Sequence, residues 1–283
     1  MNQVAILTDS VSCLPQEIKN EYEIELVPFN VHHHDKAYLD MIDITPQQVY
    51  ALVGDGEILT TSAPPPGTFL EIFNRLAMKA REILCLTVAS TYSATFSSMQ
   101  SAIETAKKQM PKLRIELIDC YTGAAAQALI VLTAARAAKL GNRLNQIVSK
   151  VNQAIPKAEI IMVLDTLKYL ERGGRAPKVG AWTTSLLKLK PVATNQMGHA
   201  HFLGMARSRA HGIERMVRAV REKVGINKVS AIIIHSALET EARELERRLH
   251  TEFNCNETYV TEATAVVAVH LGPCAIGIAF LPS

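Results

Sequence analysis

Five short runs, Val4–Thr8, Glu82–Val88, Arg114–Ile118, Ile160–Leu164 and Val229–Ile234, read as apolar on both alternating faces. A strand apolar on both faces has to be covered on both, which points to a sheet buried between helices. Helical patterns occur beside such runs. Ile213, Met216, Val217, Val220 and Val224 share one face of Ser208–Val224, and Leu238, Ala242, Leu245 and Leu249 share one face of Leu238–Phe253. Strand and helix in alternation predict α/β layers with parallel strands in the N-terminal half. After about residue 155 the texture changes. Pro156 follows a helical segment, and strand-like pieces then come in neighbouring pairs, Lys190–Asn195 with His199–Ala206 and Thr264–Val269 with Cys274–Leu281. Pairs joined by short turns predict antiparallel strands. The expected architecture is an N-terminal parallel-sheet α/β/α domain over residues 1–156, then a mixed-sheet α/β two-layer domain over 157–283.

Composition narrows the function classes. The chain has 283 residues, 48% of them hydrophobic and 20% charged, enough for a substantial core. A net charge of +3 is too small to suggest nucleic acid, and no aromatic or zinc-knuckle motif adds to it. Five widely spaced cysteines without C-x-x-C suggest reduced thiols rather than a disulfide framework or a zinc site. The N-terminus shows no signal-peptide pattern, because no basic residue precedes the short apolar run Val4–Leu7. The apolar stretch 265–281 is broken by Gly272-Pro273 and suits two short strands better than a spanning helix. A cytoplasmic protein with at most transient membrane contact is the expectation.

Polar residues gather where the strands end, the usual ligand edge of an open α/β sheet. Strand one ends at Thr8-Asp9-Ser10, the next at Ser90-Thr91-Tyr92-Ser93 and the third at Asp119. Thr60-Thr61-Ser62 is expected to open another helix before Pro64-Pro65-Pro66 forces an extended chain. Asp9, Ser62, Ser90 and Asp119 each fit an N-cap taken singly. Their clustering at one edge fits a shared anion site. No nucleotide-binding glycine loop, H-E-x-x-H or G-x-S-x-G is present, so nucleotide, metalloprotease and α/β-hydrolase chemistry lack their signatures. Ser185 and Lys188 match S-x-x-K, a pattern common by chance in helices. His32-His33-His34 could suggest metal, but neighbours on a strand face opposite ways and chelate poorly, so no metal is expected.

At these same residues the sequence resembles the DegV family, which includes the fatty-acid-binding subunits of bacterial fatty acid kinase. Ile6-Leu7-Thr8-Asp9-Ser10 with Leu14-Pro15 looks like the family's start, and Val27-Pro28-Phe29-Asn30-Val31 with Tyr38 and Asp40 like its next strand and hairpin. Thr61-Ser62-Ala63-Pro64 is similar to T-S-Q-P, and Ser93-Ala94-Thr95-Phe96 to S-G-T-Y. The best match is the run from Leu164 to Arg175, LDTLKYLERGGR; Lys190-Pro191 and His270-Leu271-Gly272-Pro273 complete it. Departures are concentrated around the presumed head group, with Ala63, Ala94, Cys120 and Cys274 in place of family residues.

The resemblance implies a long-chain fatty acid buried in the protein, with no cofactor. Its carboxylate would be held at Thr61, Ser62, Ser93 and Ala94, with His270 nearby. It also implies a protein without catalysis of its own, presenting that carboxylate to a partner ATP-dependent fatty acid kinase for acyl phosphate formation. Arg172, Arg175 and Arg207 would face the kinase. The first two flank Gly173-Gly174, where a helix beginning at Thr166 is expected to end in a left-handed turn. Two other readings stay open: a hydrolase or acyltransferase using Ser93 or Ser62 with His270, and a lipid carrier without a kinase.

Overall fold

The computed structural model describes residues 4–176 and 189–283, so the Ser185/Lys188 pattern lies outside the described residues. From the N-terminus run β1 (Val4–Asp9), α1 (Gln16–Glu21), β2 (Glu25–Val27), β3 (Asn30–His33), β4 (Lys36–Leu39), α2 (Pro46–Gly54) and β5 (Leu59–Ser62). Next come α3 (Pro66–Ala77), β6 (Glu82–Thr87), α4 (Thr95–Gln109), β7 (Arg114–Asp119), α5 (Ala124–Lys139) and α6 (Leu144–Ala154). The later half holds β8 (Glu159–Val163), α7 (Lys168–Arg172), β9 (Lys190–Gln196), β10 (His199–Ala206) and α8 (Arg209–Val224). It closes with β11 (Val229–His235), α9 (Glu239–Glu252), β12 (Cys255–Glu262), α10 (Ala265–Leu271) and β13 (Ile276–Pro282).

The doubly apolar strands form a parallel sheet in the order β2-β1-β6-β7, covered on both faces as their composition demands. Leu7, Ile83 and Cys85 pack under Phe69, Phe73, Met99 and Ile103 of α3 and α4. On the other face Ile6, Leu84 and Leu86 meet the core that contains α5. That helix also touches β11 and β13 of a six-stranded mixed sheet, β10-β9-β8-β13-β11-β12. It is buried nearly all round, and its eight alanines let a sheet approach from either side. The far face of the mixed sheet, with Ile161, Val163, Ile233 and Ile278, packs against Met216, Val217 and Val220 of α8 and Leu245 of α9. A third sheet, β4-β3-β5, is antiparallel.

Most of the expected elements are present, including the antiparallel β9–β10 pair and the helices α8 and α9. Two expectations are corrected. Thr264–Val269 is not a strand: Thr264 precedes α10, and only β13 of that expected pair is extended, lying between β8 and β11. All of Ala265–Val269 is buried, so its apolar pattern has no period that separates helix from strand. Thr60-Thr61-Ser62 does not open a helix either. These residues belong to β5, as two β-branched threonines favour, and α3 begins only at Pro66, where a missing N–H costs nothing. Among the described residues no helix is long and apolar enough to cross a membrane.

Candidate functional site

Between the parallel sheet, the mixed sheet and the small sheet lies a cavity of about 370 Å³, within the range of small-molecule sites. Strand alternation makes its floor. Ile160, Met162 and Leu164 come two residues apart in and just beyond β8, and Ala193 and Asn195 of β9 stand beside them, Ala193 paired with Met162 and Asn195 with Ile160. Val266 and Val267 of α10 and Phe29 add further apolar wall. The lining is overwhelmingly hydrocarbon, and its polar atoms are few.

The polar lining includes residues singled out in the sequence, with Tyr92, Thr194 and Asn195 besides. Thr61, Ser62, Ser93, Ala94 and His270 all line this cavity. Thr61 Oγ1 lies 2.9 Å from His270 Nε2, joining β5 to the last turn of α10. Ser62 Oγ lies 2.8 Å from His32 Nε2 on the neighbouring strand. Ser93 follows β6; its Oγ accepts from the Thr95 N–H at 3.3 Å and lies 2.8 Å from Thr95 Oγ1, which fixes it at the mouth of α4. Arg175, half-buried, lines the cavity too, donating to the Tyr92 carbonyl at 2.9 and 3.0 Å and to the Gly173 carbonyl. It thereby ties the end of α7 to the loop that carries Ser93. Arg172 and Arg207 are exposed, Arg207 just before Ser208, which caps α8. The turn after α7 is left-handed at Gly174, φ 69°, though the helix starts at Lys168 rather than Thr166.

The other strand-end groups serve the backbone. Asp9 accepts from the N–H groups of Val11 and Val88 and from the Gln127 amide, and Asp119 accepts from those of Ser90 and Tyr121. Both carboxylates therefore hold loops rather than meeting Ser62 around a shared anion.

His270 is a strongly perturbed group on the wall. Burial, helped by the nearby Arg175 charge, lowers its pKa from 6.5 to about 4, so the imidazole is neutral at pH 7. Its Nδ1 is buried without a hydrogen bond and lies against Gly173, where a Cβ would come within 2.2 Å of it. With Nε2 protonated, the ring donates to Thr61 and leaves the hydroxyl's own proton free for an anion in the cavity. Neither Ser62 nor Ser93 is hydrogen-bonded to His270, and a ring with a pKa near 4 is a weak base, so these two serines lack the nucleophile–base contact of a serine hydrolase.

Behind the wall sits a group the sequence reading assigned no role. Asp40 is fully buried beside Ser10, Thr264 and the first N–H groups of α10, yet neither oxygen makes a hydrogen bond of good geometry. Burial pushes its pKa from 3.8 to about 6, and that of Asp9 to about 7. Ionising Asp40 thus costs the folded state: stability falls as pH rises from about 4 to 6, and the loss persists above. His270 has the opposite effect, withdrawing stability as pH falls from 6.5 towards 4. Asp40→Asn removes only the first contribution. Relative to wild type it should gain about 2 kcal/mol between pH 4 and pH 8, read from urea denaturation at both pH values; a pH-independent difference would contradict the buried-charge account.

The comparisons fit this geometry. A profile of the DegV family, described as one of uncharacterised proteins, matches residues 3–283. The chain belongs to the DegV family. It is 32% identical to a DegV domain-containing protein of Caldanaerobacter subterraneus subsp. tengcongensis, over 99% of both chains. Its fold is similar to a fatty-acid-binding DegV family protein from Thermus thermophilus, with a TM-score of 0.90, 26% identity and coverage of 99% of this chain and 100% of that one. It is also similar to DegV from Bacillus subtilis, described as a fatty acid binding protein, with a TM-score of 0.88, 25% identity and full coverage of both.

Proposed function

We propose that this protein binds one long-chain fatty acid in the cavity and presents its carboxylate to a partner ATP-dependent kinase, which converts it to an acyl phosphate. One observation carries the reading: a cavity lined mostly by hydrocarbon whose few polar atoms include a hydroxyl hydrogen-bonded to a neutral, partly buried histidine. The tail supplies most of the affinity, since about 14 methylenes at about 0.8 kcal/mol each give a gross driving force near 11 kcal/mol. Each hydrogen bond to the carboxylate adds only about 1.5–3 kcal/mol. Thr61, Ser62, Ser93, the Ala94 backbone and His270 accordingly fix the position of the head. Neutral donors leave the carboxylate nucleophilic, whereas a tight pair with an arginine would blunt its attack on phosphorus. The relatives from Thermus thermophilus and Bacillus subtilis, each described as binding fatty acid, support the ligand class.

Thr61→Val and Ser93→Ala should each weaken fatty-acid binding about tenfold, the worth of one such bond, with the fold intact, measured by calorimetric titration of delipidated protein. His270→Ala should follow Ser93→Ala. If each variant loses only about 1 kcal/mol of stability, as a lost cap would cost, and keeps wild-type affinity, the head-group assignment fails.

Arg172, Arg175 and Arg207 are proposed to meet the kinase and its phosphoryl donor, whose spread negative charge suits bidentate guanidinium contacts. Arg172→Ala and Arg207→Ala should keep the ligand bound yet slow acyl phosphate formation by about tenfold or more, on the scale of a lost charged hydrogen bond, whereas Arg175→Ala, which also frees the loop carrying Ser93, should weaken ligand binding as well. Wild-type rates in all three, with the purified kinase at physiological salt, would leave these residues as a solvated basic face.

A further inference from the structure

The hairpin of β3 and β4 carries three consecutive histidines, and the cavity accounts for only one of them. His32, inside β3, is turned to Ser62. Strand alternation sends His33 the other way, and it should send His34 back again. It does not, because the strand ends at His33 and His34 takes a left-handed backbone, φ 51°. The two imidazoles consequently lie against each other on one side of the hairpin, with ring centroids 4.2 Å apart and planes tilted by 41°.

Glu57, two residues before β5, completes the group. One oxygen, Oε2, lies 3.2 Å from His33 Nε2 and 3.3 Å from His34 Nε2, and all three atoms fall within 4.8 Å of one another. Ligands held at 2.0–2.2 Å around a tetrahedral Zn²⁺ stand roughly 3.3–3.5 Å apart, so both nitrogen–oxygen separations are close to those a bound ion would impose. Two imidazoles and one carboxylate suit borderline cations such as Zn²⁺ better than Ca²⁺ or Mg²⁺, which prefer all-oxygen shells. His34 is largely exposed and Glu57 partly so, which leaves a solvent-facing side for water to complete the shell.

We propose that His33, His34 and Glu57 form a binding site for a first-row transition-metal dication, with Zn²⁺ as the probe. His33 pairs with Leu59 in the ladder between β3 and β5. A bound ion would therefore clamp the hairpin turn to the start of β5, the strand that carries Thr61 and Ser62. The proposal does not depend on the fatty-acid reading.

The test is titration of the full, chelator-stripped protein with zinc chloride against a chromophoric zinc indicator, with thermal melts in parallel. One equivalent should bind, and zinc should raise the melting temperature. His33→Ala, His34→Ala and Glu57→Gln should each weaken binding by about tenfold or more and lose the thermal shift, while His32→Ala keeps both. Absence of stoichiometric binding would overturn the proposal. So would zinc binding that survives Glu57→Gln or that His32→Ala weakens as much as His33→Ala, since either describes loose chelation by adjacent histidines.

Discussion

Ala193→Trp is expected to reduce fatty-acid affinity by at least about 100-fold while leaving the protein folded. Ala193 faces the cavity from the floor of β9, opposite Met162. An indole there grows into open space rather than into packed core, so the overpacking cost of a core substitution is largely avoided. It takes the room of roughly six methylenes, and at about 0.8 kcal/mol each that removes about 5 kcal/mol of tail burial. Calorimetric titration with palmitate reads the loss, and an unchanged urea midpoint confirms the fold. Wild-type affinity in this variant would place the acyl chain somewhere other than this cavity.

Gly272→Ala is expected to destabilise the protein by about 3 kcal/mol or more. Gly272 ends α10 with φ 67° and ψ −175°, a region that residues bearing a Cβ rarely adopt. A Cβ there would also lie 2.2 Å from two carbons of the Tyr169 ring. Tyr169 belongs to α7, so the clash would part the two helices whose contact sets Gly173 against His270. Gly54→Ala is the control. That glycine closes α2 with nothing within 4 Å of its added Cβ, and the substitution should be neutral or mildly stabilising. Urea denaturation distinguishes the two, and a Gly272→Ala midpoint equal to wild type would show that α7 and α10 yield at little cost.

Much of this arrangement could be read before any coordinates. Val4–Asp9 and Glu82–Thr87 announced a covered parallel sheet because their apolar residues fall on both faces, and that pattern depends on no distant partner. Thr264–Val269 reads as a strand yet mostly folds into α10, because uniform burial erases the period that would separate helix from strand. Thr61, Ser93 and His270 were named by their motifs, yet the Thr61–His270 pair spans 209 residues of chain and no spacing rule reports it. Met162 and Ala193 carry a usable signal, two-residue alternation in β8 and β9, but that their shared surface lines a cavity depends on elements distant in the chain. Asp40 looked like a hairpin residue. Its full burial beside Ser10, Thr264 and the first residues of α10 is a tertiary fact. His34 broke the alternation rule through one left-handed residue at a strand end.

The central claim is that the cavity holds a single fatty acid. Native mass spectrometry of the freshly purified protein, followed by solvent extraction and identification of what is released, tests it most directly. One adduct per chain, released as a long-chain fatty acid, is the predicted result. Bare protein throughout, with added fatty acids that neither bind nor raise the melting temperature, would contradict it.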